Sequence, residues 1–118
     1  MKKRKVKVPI YHSYLTIIET ENIKEQAEKY NVRPRGDPTR EDYNYDAITF
    51  RDFSKNGYLC YYCIFRPQRS YGTIAHEAKH IVNHIFNDLG IELDRVNDEP
   101  ECYLLGWVVN QIHLTITE

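Results

Sequence analysis

The sequence is poor in several residue types that define whole classes of protein. Its 118 residues include only three cysteines, five glycines and five prolines. Three is a small and odd number of cysteines for a disulfide-stabilised secreted domain, so we expect reduced thiols and a cytoplasmic location. No apolar run approaches the roughly 18 residues of a membrane-spanning helix, so we expect no membrane partner. The basic start is not followed by an apolar segment, and we expect no secretory signal.

An excess of charge of either sign is also missing. Lysine and arginine together number 16, aspartate and glutamate 17, and the formal net charge is −1. This balance argues against a generic nucleic-acid-binding protein, which carries a basic excess. The basic run Lys2–Lys5 could touch an anionic surface, but we interpret it as a solvated tail. The length predicts a single domain over residues 1–118, and the sequence leaves its oligomeric state open.

The predicted elements follow the order strand, helix, hairpin, helix, helix. They are a strand over Val6–Ile18, a helix from Asn22 to about Tyr30, a loop over Arg33–Tyr45, strands over Ala47–Phe53 and Tyr58–Phe65 joined at Asn56-Gly57, and helices over Ile74–Leu89 and Asp98–His113. The hairpin signal predicts antiparallel neighbours, so the expected fold class is α+β with a small antiparallel sheet. The second hairpin strand is apolar at nearly every position, which predicts that both its faces are covered.

A His-Glu-x-x-His pattern lies in the first long helix. His76 and His80 are four residues apart, so they lie one turn apart on one helix face and can bind the same Zn²⁺. Glu77 between them can reach the zinc-activated water as a general base. The apolar residues of the helix form a stripe on the opposite side. His84 is a poor third ligand because it lies two turns from His76, about 12 Å along the axis.

The acidic start of the last helix offers better candidates for a third zinc ligand. Asp98 and Glu101 have the spacing of a capping box, which would occupy both side chains. A helical wheel also turns Glu101 towards the leucines of the expected core. Glu99 lies on the side of Tyr103 and Gly106, where another backbone can come close. We therefore expect Glu99, rather than Glu101, to complete the site.

The two segments that carry these residues resemble the gluzincin class of zinc peptidases. Gly72–His80 and Asn97–Leu104 are similar to the smallest single-domain members, the ImmA/IrrE-type peptidases and short phage-encoded metallopeptidase-like proteins. The resemblance is specific over Gly72–Trp107 and only topological before it. It implies that the chain works in the cytoplasm, which is the host cytoplasm if a phage encodes it.

The resemblance also assigns roles to individual residues. It implies that His76, His80 and Glu99 are zinc ligands and that Glu77 is the general base. Larger gluzincins carry an aspartate four residues after the ligand glutamate, and it supports a histidine. That position here is Tyr103, so the resemblance implies that its hydroxyl replaces the carboxylate in this role.

Two functions are compatible with these residues. The first is a zinc-dependent peptidase, with a peptide or protein substrate that pairs with the strand Tyr58–Phe65. The second is a catalytically weak or inactive binding protein that sequesters a host or regulatory partner. The intact Glu77 favours the enzyme, because a purely structural zinc site needs no base.

The pair Cys60-x-x-Cys63 is interpreted as buried small side chains, since residues i and i+3 of a strand face opposite sides.

Overall fold

Four strands and three helices make up the part of the chain that the structure, a computed structural model, describes: residues 1–30, 46–53 and 57–117. The strands are β1 (Lys2–Lys7), β2 (Ser13–Glu19), β3 (Ala47–Phe53) and β4 (Leu59–Phe65), and the helices are α1 (Ile23–Lys29), α2 (Tyr71–Asp88) and α3 (Glu99–Thr117). The α+β class is confirmed. The predicted loop over 33–45 and Asn56 of the predicted turn lie outside the described residues.

The strands form one mixed sheet in the order β1-β2-β4-β3. β1 pairs with β2 and β3 with β4 in antiparallel fashion, as hairpins do, but β2 and β4 are parallel. The expectation of a purely antiparallel sheet is therefore wrong for the central pair. The sequence of β4 agrees with this pairing, because parallel strands are usually covered on both faces and β4 is apolar on both.

β4 is therefore an interior strand. The expectation that a peptide substrate pairs with it is wrong, because β2 and β3 already occupy both of its backbone edges. β3 has β4 as its one partner among the described strands, so its other edge is available within that part of the chain. The strand at the edge of the sheet is therefore β3, the first strand of the predicted hairpin, and not β4, the second.

The start of the chain differs from the prediction of one strand over Val6–Ile18. A short turn divides this region, where Val8 N donates to the Ser13 carbonyl at 2.9 Å. Ile10 in this turn has a φ of 58°, a left-handed conformation that ends a strand. The turn produces a hairpin whose first strand begins at Lys2.

The basic run is consequently strand β1 and not a solvated tail. Alternate side chains of β1 point towards α3, and the Lys2 ammonium donates to the Ile116 carbonyl at 2.8 Å. Val6, on the same side, packs against the main core. The run is held by backbone pairing with β2 and by this contact with α3, which local composition does not reveal.

The helices begin where side chains satisfy their first backbone N–H groups. Asn22 Oδ1 accepts from Glu25 N at 3.1 Å, which confirms the predicted start of α1. Ser70 Oγ accepts from Thr73 N at 3.1 Å, so α2 begins three residues before the predicted Ile74. The helix ends as predicted before Gly90, whose φ is +70°.

The last helix is longer than predicted, because α3 continues past His113 to Thr117. Its final turn buries Thr115 and packs Ile116 against the core. This burial, rather than helix propensity, stabilises the extra turn.

The helices cover the two faces of the sheet unequally. α2 and α3 pack on the side that we call the helix-pair face, whose strand side chains include Leu15, Ile17, Thr49, Tyr61, Cys63 and Phe65. α1 covers part of the other side, where a small cluster joins Ile18, Ile23, Ala27 and Ile64. Because α2 buries one of its sides on the sheet, the side chains on its opposite side are accessible to solvent.

Candidate metal centre

Helix α2 separates its apolar and polar residues as the sequence predicts. Its buried residues include Ile74, Ala78, Ile81, Val82, Ile85 and Phe86. His76 and His80 lie on the exposed side of the helix. The apolar contacts therefore fix the helix against the sheet and aim both imidazoles at solvent.

The two histidines are in direct contact. The Nε2 atoms of His76 and His80 are 3.0 Å apart, and the ring planes are nearly perpendicular at 83°. Two nitrogens at this distance share one proton in a hydrogen bond, or both can direct lone pairs at one cation. A zinc ion with Zn–N bonds of about 2.0–2.1 Å holds neighbouring ligand atoms at a comparable separation. The separation of the two Nε2 atoms is therefore compatible with two ligands of one metal ion.

Glu77 points the other way, into the protein. Its side chain is buried, and its Oε2 accepts a hydrogen bond from the Thr49 hydroxyl on β3. The Cys63 Sγ lies 3.7 Å from the same hydroxyl. Burial raises the pKa of Cys63 to about 12, so the thiol beside this contact is neutral. The hydroxyl that binds the Glu77 carboxylate and the thiol beside it are therefore both uncharged.

An open cavity of about 510 Å³ is lined by both Glu77 and His76, one of the two histidines. It lies between the start of β3 and the first turns of α2. Its lining comprises Asp46, Ala47, Ser70, Gly72, Thr73, His76 and Glu77. A water or substrate group in this cavity can reach a histidine and the Glu77 carboxylate at once.

Glu99, the expected third ligand, does not join the two histidines. Glu99 is the first residue of α3 and is exposed. Among residues 1–30, 46–53 and 57–117, no three His, Cys, Asp or Glu side chains form a group that could hold a metal ion. The structure thus brings His76 and His80 together but does not bring Glu99 to them.

Glu101, two residues after Glu99, contacts α2 directly. Its carboxylate contacts the Lys79 ammonium, directly next to His80 in the sequence. The expectation that Glu101 turns inwards agrees with its partial burial, and Leu104 one turn later is buried. The first turn of α3, with its carboxylates, is therefore anchored beside the histidine turn of α2.

Tyr103 follows the solvent side of α3. It is 76% exposed, four residues after Glu99 on the same side of the helix. Its hydroxyl has no described contact with a histidine. The supporting role that the resemblance gives to this tyrosine stays a prediction.

The remaining candidate ligands lie elsewhere. Cys60 and Cys63 are free and buried, and their β3 partners, Asp52 and Thr49, belong to opposite faces of the sheet. His84 lines a separate cavity of about 560 Å³, near residues 91–93. Neither the cysteines nor His84 add to the histidine pair.

Sequence reasoning missed Thr49. The signal that could have found it is the hairpin register, which pairs Thr49 with Cys63 and turns both towards α2. A single polar residue in that position of a strand under a helix is expected to meet a polar partner. Here that partner is the Glu77 carboxylate.

The donors that are present suit zinc. Two imidazole nitrogens and a nearby carboxylate form the ligand set of many catalytic zinc sites, which keep one position open. Both imidazoles are solvent-accessible, and the cavity that His76 lines is open to solvent. The histidine pair offers two of the three protein ligands of such a site, and the described structure does not bring a carboxylate to them as the third.

Comparison with known proteins adds no assignment: no family model, no curated protein and no solved structure matches the chain. Within the described residues, the helices are too short or too polar to cross a membrane.

Proposed function

We propose that this chain is a zinc-dependent peptidase of the cytoplasm that hydrolyses peptide bonds in a peptide or protein substrate. In this proposal His76, His80 and Glu99 bind the zinc, and Glu77 is the general base. The observation that carries the proposal is the pair of Nε2 atoms 3.0 Å apart, together with a cavity that His76 and Glu77 both line.

The chain's own residues divide the work of hydrolysis. Zinc, when bound, supplies Lewis-acid activation of the scissile carbonyl and of the attacking water. Glu77 accepts a proton from that water and later transfers it to the nitrogen of the leaving amine. The Thr49 hydroxyl binds Oε2 of this carboxylate and thereby orients it, which leaves Oε1 to take the proton.

The substrate approaches along β3. This strand forms the wall of the cavity through Ala47, and its outer edge is not paired with another described strand. An extended peptide that adds to this edge gains backbone hydrogen bonds without a sequence requirement. Its scissile bond would then lie between the strand edge and the histidine face of α2.

A binding protein on the same scaffold is the second candidate. The observation that favours it is the position of Glu99, which the structure leaves apart from the histidine pair. Such a protein would use the β3 edge to hold a regulatory partner without cleaving it. The two candidates differ in hydrolysis and not in the fold.

Zinc content tests the metal site first. Purified protein loaded with excess zinc and dialysed is expected to retain about one equivalent, and His80→Ala is expected to lose it. The matched control is His113→Ala, since His113 is an exposed histidine on α3. Retention of less than half an equivalent by the wild type, or an unchanged zinc content in His80→Ala, contradicts the site.

Hydrolysis then separates the two candidates. Glu77→Gln is expected to keep the zinc and to lower cleavage of a peptide library by about 10²–10⁴-fold, because an amide cannot take the proton. The control is Glu92→Gln in the exposed segment between α2 and α3. A zinc-loaded wild type that cleaves nothing supports the binding protein, and undiminished cleavage by Glu77→Gln removes this residue from the mechanism.

A further inference from the structure

The sheet face opposite α2 and α3 carries a row of lysines beside a row of aromatic rings. Strand register pairs Lys7 of β1 with Tyr14 of β2, and it pairs Lys5 with Thr16, which pairs in turn with Tyr62 of β4. We call this surface the lysine–tyrosine face. Its members are Lys3, Lys5, Lys7, Tyr14, Tyr30, Tyr58 and Tyr62.

Helix α1 covers only one end of this face. The helix has seven residues, and its contacts centre on Ile18 and Ile64. Beyond it the three lysines are exposed, and Tyr58 is 41% exposed. The uncovered end is therefore a surface on which charge and aromatic rings meet solvent together.

Two of the three lysines contact aromatic rings. The Lys5 ammonium is 4.9 Å from the centre of the Tyr14 ring, a cation–π distance. The Lys3 ammonium donates to the Tyr30 hydroxyl at 3.2 Å. Tyr58 meets Tyr14 edge-on, with ring centres 5.9 Å apart. Positive charge and ring faces thus alternate within a few ångströms of one another.

The charge on this face is concentrated along one edge. Lys3, Lys5 and Lys7 repeat every second residue of β1, about 6.6–6.8 Å apart along the strand. Asp52 shares the face but lies on β3, three strands away, about 14 Å at the usual strand spacing. The near-neutral chain therefore has a local basic ridge that its net charge conceals.

We propose that the lysine–tyrosine face binds single-stranded nucleic acid. The lysines of β1 would contact successive phosphates, and the exposed ring edges and faces of Tyr14 and Tyr58 would stack against bases. A partner that offers only negative charge would use the lysines but not the rings. The presence of both favours a strand with accessible bases over an acidic protein surface.

This inference is independent of the peptidase. Its residues lie on the opposite side of the sheet from Glu77 and Thr49. Zinc-free protein is therefore expected to bind nucleic acid as well as zinc-loaded protein does. Binding can be measured without any cleavage assay.

The charge is tested with a fluorescently labelled 12-nucleotide single strand of mixed sequence, as DNA and as RNA, by anisotropy. The triple variant K3Q/K5Q/K7Q is expected to bind at least tenfold more weakly. The slope of log K against log salt is expected to fall in magnitude by about 2, at about 0.7 for each lost phosphate contact. The matched control R51Q/K79Q/R95Q removes three charges from exposed or half-exposed positions on β3, on α2 and between α2 and α3, away from this face, and is expected to bind like the wild type.

The rings are tested with the double variant Y14L/Y58L, which keeps apolar bulk and all charges. It is expected to bind about tenfold more weakly with an unchanged salt slope, because stacking is lost and phosphate contacts remain. The control is Tyr71→Leu at the exposed start of α2. Circular dichroism checks that each variant keeps its secondary structure, and single lysine substitutions replace the triple variant if it unfolds.

Two results would overturn the proposal. The first is equal affinity for the oligonucleotide and for heparin or a poly-glutamate peptide, together with no effect of Y14L/Y58L. This result would make the face a site for any polyanion or acidic protein. The second is a loss of affinity in R51Q/K79Q/R95Q as large as in K3Q/K5Q/K7Q, which would mean that net charge alone decides binding.

Discussion

The two faces of the sheet share the same four strands and differ in what covers them. Two helices of 18 and 19 residues cover the helix-pair face. One helix of seven residues covers only part of the lysine–tyrosine face. On the first face Tyr61, Cys63 and Phe65 are almost completely buried. On the second, Tyr62 between them is only half-buried. Adjacent residues of one strand thus occupy very different environments.

This difference places rigidity and charge on opposite sides of the molecule. The sealed face fixes α2, and with it the histidine pair and the Glu77 carboxylate, at defined positions. The partly covered face tolerates three exposed lysines because no second layer must exclude water from them. The first face therefore holds its side chains in fixed positions, whereas the second keeps its lysines in contact with solvent.

The largest expected effect comes from truncating two neighbouring isoleucines, which compares how tightly the helices pack on the two faces of the sheet. Ile17 and Ile18 of β2 are both fully buried, Ile17 on the helix-pair face and Ile18 under α1. Ile17→Ala is expected to lower the free energy of unfolding by about 3–5 kcal/mol, and Ile18→Ala by about 2–3 kcal/mol. Urea denaturation measures both. Equal losses would show that the small cluster is packed as tightly as the large one.

Removal of a hydroxyl from each face tests which face serves catalysis. Thr49→Val leaves the Glu77 carboxylate without its donor and is expected to lower kcat of the peptidase by about tenfold. Thr49→Ser is expected to restore it, because serine can donate the same hydrogen bond. The control is Thr16→Val on the lysine–tyrosine face. A wild-type kcat in Thr49→Val would remove the hydroxyl from the positioning of Glu77.

Alkaline unfolding compares two adjacent tyrosines. Burial and then the hydrogen bond to Asp88, 2.8 Å long, raise the pKa of Tyr61 well above its usual value. Burial, with Cys60 next, raises the pKa of Tyr62 to about 12. A raised pKa means that the folded state holds the proton more tightly, so the free energy of unfolding falls as pH rises above about 10.

Each such proton steepens the fall by at most about 1.4 kcal/mol per pH unit. Tyr61→Phe is expected to make the decline between pH 10 and 12 shallower, and Tyr62→Phe to do so to a smaller extent. Urea midpoints measured across this range provide the comparison. A larger effect of Tyr62→Phe would mean that the less covered face controls alkaline stability.

The smallest expected effect concerns the charge pair between α2 and α3. Lys79 is more than a third exposed, so Glu101→Gln is expected to lower the free energy of unfolding by only about 0.5–1 kcal/mol. Glu99→Gln is expected to leave unfolding of the zinc-free protein unchanged and to weaken zinc retention. Chelator competition measures the second effect. If Glu101→Gln releases zinc and Glu99→Gln does not, Glu101 is the third ligand.

Local signals in the sequence were sufficient for the parts of the fold that depend on neighbours in the chain. The Asn22 cap of α1, the strand Ala47–Phe53 and the polar side of α2 follow from spacing within a few residues. His76 and His80 belong to this group, since one helical turn determines their contact. The histidine pair of the candidate site was therefore predictable before the fold was known.

Features that depend on distant pairing were not predictable in this way. The parallel contact of β2 with β4 has no local signal, and the basic run becomes a strand only when β2 lies beside it. Thr49 meets Glu77 because sheet register and helix packing coincide. Averaged charge also hid the ridge on β1, since the acidic residues that balance it lie elsewhere in the chain.

The parallel pairing at the centre of the sheet has a consequence for how the chain folds. The hairpin β1–β2 forms across a short turn, whereas the contact between Ser13 and Leu59 must close a long loop. Loop closure costs entropy that grows with the logarithm of loop length, and non-local contacts of this kind slow folding. We expect the docking of β2 onto β4 to limit the folding rate, with α2 settling onto a sheet that is complete only after that step.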